Sequence, residues 1–196
     1  MSASDSARQE FERLSLRVHD LLDGVPLHDV WAVDLPWTRP GITLDEFQRM
    51  AHVRLCTLSV VIRALLGVRF FIGRLLGWDR EPAATKWESF ATRLTTADRS
   101  KSLAPAGSPE GLFRVVYRFD NEQLLELINR TAHAAALSAL VESAHAYRFY
   151  FGVYVRNVSA FTPIYMALID PFRKLVVYPS LLRSIRARWI QTFQRG

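Results

Sequence analysis

Apolar positions recur at two different spacings along this chain, and the change from one to the other outlines its fold. From Ser4 to Asp23 they fall at Phe11, Leu14, Val18, Leu21 and Leu22, one face of a helix that Gly24 closes. His28 to Leu35 then alternates, which predicts a first strand with Trp31, Val33 and Leu35 on one side and His28, Val30, Ala32 and Asp34 on the other. Pro36, Pro40 and Gly41 end it. Thr43 followed three residues later by Glu46 reads as a capping box opening a helix through Phe47, Met50 and Ala51. A long helical stripe follows at Leu58, Val61, Ile62, Leu65, Val68, Ile72, Leu75 and Leu76, with Arg63, Arg74 and Phe70 on its far side and Phe71 also outside the stripe. Packing between other elements explains such a two-faced helix, as does a membrane or partner patch.

Asp79 to Gly111, punctuated by Pro82, Pro105, Gly107 and Pro109, reads as loop with one short helix. Alternation then resumes. Phe113, Val115, Tyr117 and Phe119 form one side of a strand, Asp120-Asn121 a hairpin turn, and Gln123 to Ile128 the return. Thr131 to Glu142 and His145 to Asn157 read as a second antiparallel pair. A two-residue loop at its tip sets Tyr147, Phe149, Phe151 and Val153 on the side of Leu140, Ser138, Ala136 and Ala134. Small residues then stand opposite large ones, a surface that accepts a closely packed helix or a ligand. Its other side carries Arg148, Tyr150, Tyr154, Arg156 and His133. From Ser159 the spacing is helical again, with Leu175, Tyr178, Leu182, Ile185, Trp189 and Phe193 on one stripe and Pro171 and Pro179 as starts or bends.

The chain's 196 residues suit one domain, with residues 1–27 as a helical extension and 28–196 as the domain proper. Its apolar content of 49% and charged content of 22% mark a globular protein. One cysteine, Cys56, excludes an internal disulfide and a thiolate metal cluster, and implies a reducing compartment. Met1 to Arg17 lacks a signal-peptide core, and arginines interrupt the apolar run from Val53 to Trp78. We therefore expect a cytoplasmic protein, with association at a membrane surface as an addition. The basic tail of Arg173, Lys174, Arg183, Arg186 and Arg188, with Trp189, could meet an anionic lipid surface or a partner, or present a solvated helix face. Tyrosine and arginine interleaved on a strand face can stack bases, but no RRM-type glycine-aromatic motif accompanies them, so nucleic acid is disfavoured as a partner. The oligomeric state is not readable.

The segment Tyr165-Met166-Ala167-Leu168-Ile169-Asp170-Pro171-Phe172-Arg173-Lys174-Leu175-Val176-Val177-Tyr178-Pro179, with Tyr147 to Arg156 and His133 before it, resembles an uncharacterised bacterial domain-of-unknown-function family. That family looks related to the START-like (SRPBCC, Bet v 1-like) helix-grip superfamily. The resemblance spans roughly Asp29 to Trp189. It implies an α+β fold in which an antiparallel sheet curls around a long C-terminal helix, often leaving an apolar cavity; here extra N-terminal helices are added. Similar domains sometimes follow a dinucleotide-binding dehydrogenase domain, for which this chain has neither the length nor a GxGxxG fingerprint. His133 matches a histidine position that recurs in the family, with Ala132 and Ala134 where other branches carry acidic residues.

Catalytic motifs are absent from the sequence. There is no Gly-x-Ser-x-Gly elbow, and the five histidines lie in separate elements without metal-ligand spacing, so neither catalytic residue, cofactor nor metal is expected. Glu122 and Glu126 share one strand face, where buried carboxylates could do acid–base work; a solvated pair is the expectation. The principal functional expectation is a non-catalytic domain holding an apolar or amphipathic small molecule between sheet and C-terminal helix. Phe149, Phe151, Val153, Tyr165, Leu168 and Phe172 would line the site, with Ser138 or His133 as a polar handle. The alternatives are peripheral membrane or partner binding through the basic helix, and a START-like cyclase or dehydratase.

Overall fold

A computed structural model describes residues 3–51, 88–128, 133–143, 145–156, 170–171 and 173–193. The helical stripe from Leu58 to Leu76, with Cys56, lies outside the described residues, as do Tyr165, Leu168 and Phe172.

The N-terminal periodicity resolves into two helices rather than one, α1 (Ala3–Phe11) and α2 (Arg17–Leu21). The break has a visible partner: the Arg17 amide, first in α2, donates to the carboxylate of Glu122, far away in sequence, at 2.7 Å. Gly24 then turns the chain with φ of 74°, a region that a side chain disfavours. Strand β1 (Leu27–Pro36) follows, and α3 (Leu44–Ala51) starts where the Glu46 amide donates to Thr43 Oγ1 at 3.2 Å.

In the stretch after Glu88, Phe90–Arg93 makes a 3-10 turn and Thr96–Lys101 forms α4. Thr95 and Asp98 cap α4 reciprocally, each side chain bonding the other's backbone. The strands β2 (Pro109–Glu110), β3 (Phe113–Arg118), β4 (Glu122–Ile128), β5 (His133–Ser143) and β6 (Ala146–Arg156) complete the sheet elements. A π-helical turn (Arg173–Val177) leads directly into α5 (Tyr178–Phe193), and Pro179, which has no amide to donate, stands just past the junction.

The six strands form one antiparallel sheet in the order β1-β6-β5-β4-β3-β2. Register shifts at Leu27/Asp29 and Val115/Tyr117 interrupt the ladder, and such bulges sharpen a sheet's twist and curl. The β5–β6 pairing keeps the expected faces but not the expected partners. Ser143 pairs with Ala146, where a loop at Ser143-Ala144 would have paired Glu142 with His145, so Leu140 faces Phe149 rather than Tyr147, Ser138 faces Phe151 and Ala136 faces Val153. Because directly opposed residues share a face, this register assigns every side chain in the pair.

Each sheet face carries its own core. On one, α3 and α5 cover Leu35, Leu140, Tyr147 and Phe149; Leu182, Ile185 and Trp189 of α5 meet them with Phe47 of α3. On the other, α1, α2 and the 3-10 turn cover Val30, Leu124, Ala135, Leu137, Tyr150 and Tyr154 with Phe11, Val18, Leu21 and Phe90. We call these the α5 face and the α1 face. The architecture is α+β, an antiparallel sheet with a C-terminal helix and additional N-terminal helices.

Candidate functional site

On the α5 face the side chains form cross-strand rows. Leu140, Phe149 and Val33 make one row, Gln123, Ser138, Phe151 and Trp31 the next, and Leu125, Ala136, Val153 and Asp29 a third; Leu127, Ala134 and Val155 continue the pattern. Burial changes along these rows. Leu140 and Phe149 are sealed by α3 and α5, whereas Ser138, Phe151, Val153, Ala134, Ala136, Leu125 and Leu127 are half-buried. Tyr178, opening α5, lies 5.3 Å from Trp31 and 5.7 Å from Phe151, ring centre to ring centre, and marks the border. Trp31 Nε1 is a buried donor without an acceptor, on the same row as Ser138. The structure thus brings together Ser138, Phe149, Phe151 and Val153 as expected.

It does not bring His133 to them. Five positions separate His133 from Ser138 on β5, an odd number, so His133 points to the α1 face. There it is fully buried, stacked on Phe90 with ring centres 4.0 Å apart, while Arg156 lies 4.9 Å from the same ring. Its Nε2 sits 3.3 Å from Glu126 Oε2, and its Nδ1 has no partner. The tyrosine and arginine face is likewise covered: Tyr150 and Tyr154 are buried beneath α1 and α2, which removes the platform that base stacking requires.

Glu122 and Glu126 depart from the solvated pair expected, each being only 2% exposed. Glu126 accepts from Ser89 Oγ and from the Phe90 amide at 2.9 Å, pinning the 3-10 turn to the sheet. Burial raises its pKa, but the bonds from His133, Ser89 and Phe90 outweigh burial, and the net direction is down. Burial dominates at Glu122 and lifts it to about 7, despite the Arg17 amide. Four positions along a strand separate the two carboxylates by about 13 Å, too far to share one reacting bond. Ser89 Oγ donates to Glu126 and also accepts from the Ala91 amide, which engages it in capping the 3-10 turn.

The sequence alternation put both glutamates on one face correctly. What concealed their burial is that Leu124, Leu125 and Leu127 make β4 apolar on both faces, so parity alone could not say which was covered.

The basic tail is less uniform than its composition. Arg183 and Arg186 are exposed and Arg188 half-buried, but Trp189 belongs to no surface: it is 0% exposed and its Nε1 donates to Pro36 O at 2.8 Å. Trp189 falls four positions after Ile185 on the buried stripe, which is why α5 turns it inward. Lys174 Nζ lies 3.4 Å from Asp29 and 3.3 Å from Asp170, and His28 Nε2 lies 2.9 Å from Asp170. These are the groups that fasten the turn before α5 to β1. His28, Asp29 and Asp170 bring three ligand-type atoms within 4.8 Å of one another, and the Lys174 ammonium supplies the positive charge there. Arg173 opens the π-helical turn, and Leu175, placed on the buried stripe by spacing, is 77% exposed because that turn shifts the helical phase.

Two surface grooves flank the β3–β4 hairpin. One of about 580 Å³ is lined by Leu14, Ile42, Thr43, Leu140 and Tyr147 among others, and one of about 920 Å³ by Leu16, Arg17, Asp98, Lys101 and Glu122 among others. Neither reaches Phe151 or Val153. Among the described residues no helix is long and apolar enough to cross a membrane.

No curated protein and no solved structure matches this chain. A sequence-family model does, over residues 21–180, which takes in the whole sheet and the start of α5. The chain belongs to that family, described as a protein of unknown function (DUF2867).

Proposed function

We propose that this protein is a helix-grip domain of the START-like kind that holds an apolar or amphipathic small molecule against the α5 face of its sheet. One observation carries the reading: a continuous floor of Leu125, Leu127, Ala134, Ala136, Ser138, Phe151 and Val153 is half-buried, while the same face beside it is sealed. Alanine and serine stand opposite phenylalanine and valine, so the β5 side chains of this floor are shorter than those of β6. Ser138 and the unmet donor Trp31 Nε1 occupy one row and suit a ligand with a hydrogen-bond acceptor on an apolar body. The floor residues themselves carry no ionisable group, and the set that converges at the β1 end of the Val153 row, His28, Asp29, Asp170 and Lys174, is engaged in ion pairs.

Native mass spectrometry of protein taken from its own host tests the reading. We expect an adduct in the small-molecule range that denaturation releases, and that Ala136→Phe excludes while the variant stays folded. A clean apo mass, together with failure to take up a naphthalene-based apolar fluorophore, would overturn it. The exposed Arg183 and Arg186, with Leu175 nearby, favour an anionic surface as the second reading. Vesicle cosedimentation abolished by salt would be its signature.

A further inference from the structure

Glu122 is placed where burial outweighs everything that steadies its charge. It opens β4 with its side chain on the α1 face, and its Oε1 accepts the Arg17 amide at 2.7 Å. Its Oε2 is buried with no hydrogen-bond partner. The guanidinium that could neutralise it is turned elsewhere: Arg17 Nε and NH2 bond Asp98 at 3.0 and 2.9 Å, and NH1 bonds Asp20 at 3.1 Å. The other ionisable groups facing this point are Tyr117 of β3 and Tyr154 of β6, both pushed up in pKa by burial first and by the Glu122 charge second. Tyr154 also senses Glu12 and Arg8 from the α1 side. A carboxylate here would stand among two phenols, the amides of Arg17 and Val18 and an arginine whose guanidinium is committed elsewhere.

We propose that Glu122 is a proton-operated latch for the α1–α2 arm: as a neutral carboxyl it seats the amino end of α2 on the sheet, and as a carboxylate it lets α2 lift more often. The residues that would move line the groove of about 920 Å³, which Leu14, Ser15, Leu16, Arg17, His19 and Asp20 share with Asp98 and Asp120. Lifting α2 widens that groove and uncovers Tyr117 and Tyr154, so the latch couples access to the α1 face to pH. Only a proton is exchanged, passing from the Glu122 carboxyl to water.

The direction follows from linkage. Burial holds Glu122 at about 7, against an ordinary 4.5, so between those values the seated state binds more protons than the lifted one. Seating is fully favoured below the ordinary value and weakens as pH rises through about 7. From pH 6 to pH 8 the lifted population should grow about tenfold.

Amide hydrogen exchange of the full chain, followed by NMR at pH 6 and pH 8 and corrected for intrinsic rates, tests this. We expect Arg17 and Val18 to lose about tenfold in protection at pH 8 relative to Leu124 on β4. In Glu122→Gln, which keeps the shape and an acceptor for the Arg17 amide, that loss should vanish. His19, another ionisable group of α2, is untouched by the substitution, so the variant separates the two. A ¹³C titration of the Glu122 carboxyl in the unaltered chain gives a reading that depends on no variant. Equal protection at both pH values, a tenfold loss that persists in Glu122→Gln, or a carboxyl midpoint near 4.5 would each overturn the proposal.

Discussion

The two faces of the sheet are both closed, but by different physics. On the α5 face, Trp189, Phe47, Tyr147 and Phe149 meet as tilted rings 4.8–5.9 Å apart, and the helices are held mainly by apolar area, with Tyr147 Oη and Trp189 Nε1 bonding backbone carbonyls at the rim. On the α1 face, each covering segment is tied to the sheet or to its neighbour through a carboxylate: Glu126 takes the 3-10 turn, Glu122 takes α2, and Asp98 binds Arg17 to α4. Apolar packing tolerates a half-open floor at its margin, because exposing a little alanine or leucine costs little. Buried carboxylates tolerate no such slack, since each lost partner leaves a charge or an amide unsatisfied. That difference is why the proposed ligand site lies on the α5 face and the proposed proton latch on the α1 face.

Three substitutions probe that contrast. Trp189→Ala should be the most damaging, destabilising by about 4 kcal/mol in urea unfolding, because a fully buried ring leaves a cavity that α3 and α5 cannot close. If the loss were under about 1 kcal/mol, the α5 face would not be the packed core described here. Glu126→Ala should cost about 3 kcal/mol, since Ser89, the Phe90 amide and His133 all lose their acceptor together. Loss of near-ultraviolet signal around Phe90 before global unfolding would show that the 3-10 turn detaches first. Asp98→Asn comes third. The hydrogen bonds from Arg17 hold the Asp98 carboxyl at about 2 against an ordinary 3.8, which converts to about 2 kcal/mol at neutral pH. That stabilisation is complete above the ordinary value and disappears as pH falls through about 2, so wild type and Asp98→Asn should converge in acid. A pH-independent difference would assign the effect to the Thr95–Asp98 cap instead.

Much of the fold was legible because it is periodic. The Asp120-Asn121 turn reads directly as the β3–β4 hairpin, but the bulge in β3 sets Val115 opposite Leu125 and Tyr117 opposite Leu124, on different faces, where alternation implies one. In the β5–β6 pair the faces are legible and the register is off by two positions. A shift of two positions leaves every side chain on the same face, which is why the sequence assigns Ser138, Phe151 and Val153 to one side. His133 was misjoined to them because a resemblance, not the period of two, placed it there. Trp189 was read as a surface group from its arginine neighbours, although its spacing from Leu182 and Ile185 already pointed inward. The break between α1 and α2 had no local signal. Its first amide after the break, that of Arg17, is met by the carboxyl group of Glu122, 105 residues away.

What the sequence by itself determined is the set of elements, their faces and the pairing of neighbouring strands, all of which follow from side-chain periods of 2 and 3.6 and from turn chemistry within a few residues. The tertiary structure alone decided which face each covering helix takes, that Glu122 and Glu126 are buried, and that Lys174 closes on Asp29 and Asp170. Those outcomes depend on groups brought together across tens to more than a hundred positions. A charge's partner and its exposure are properties of the assembled layers, and no local pattern encodes them.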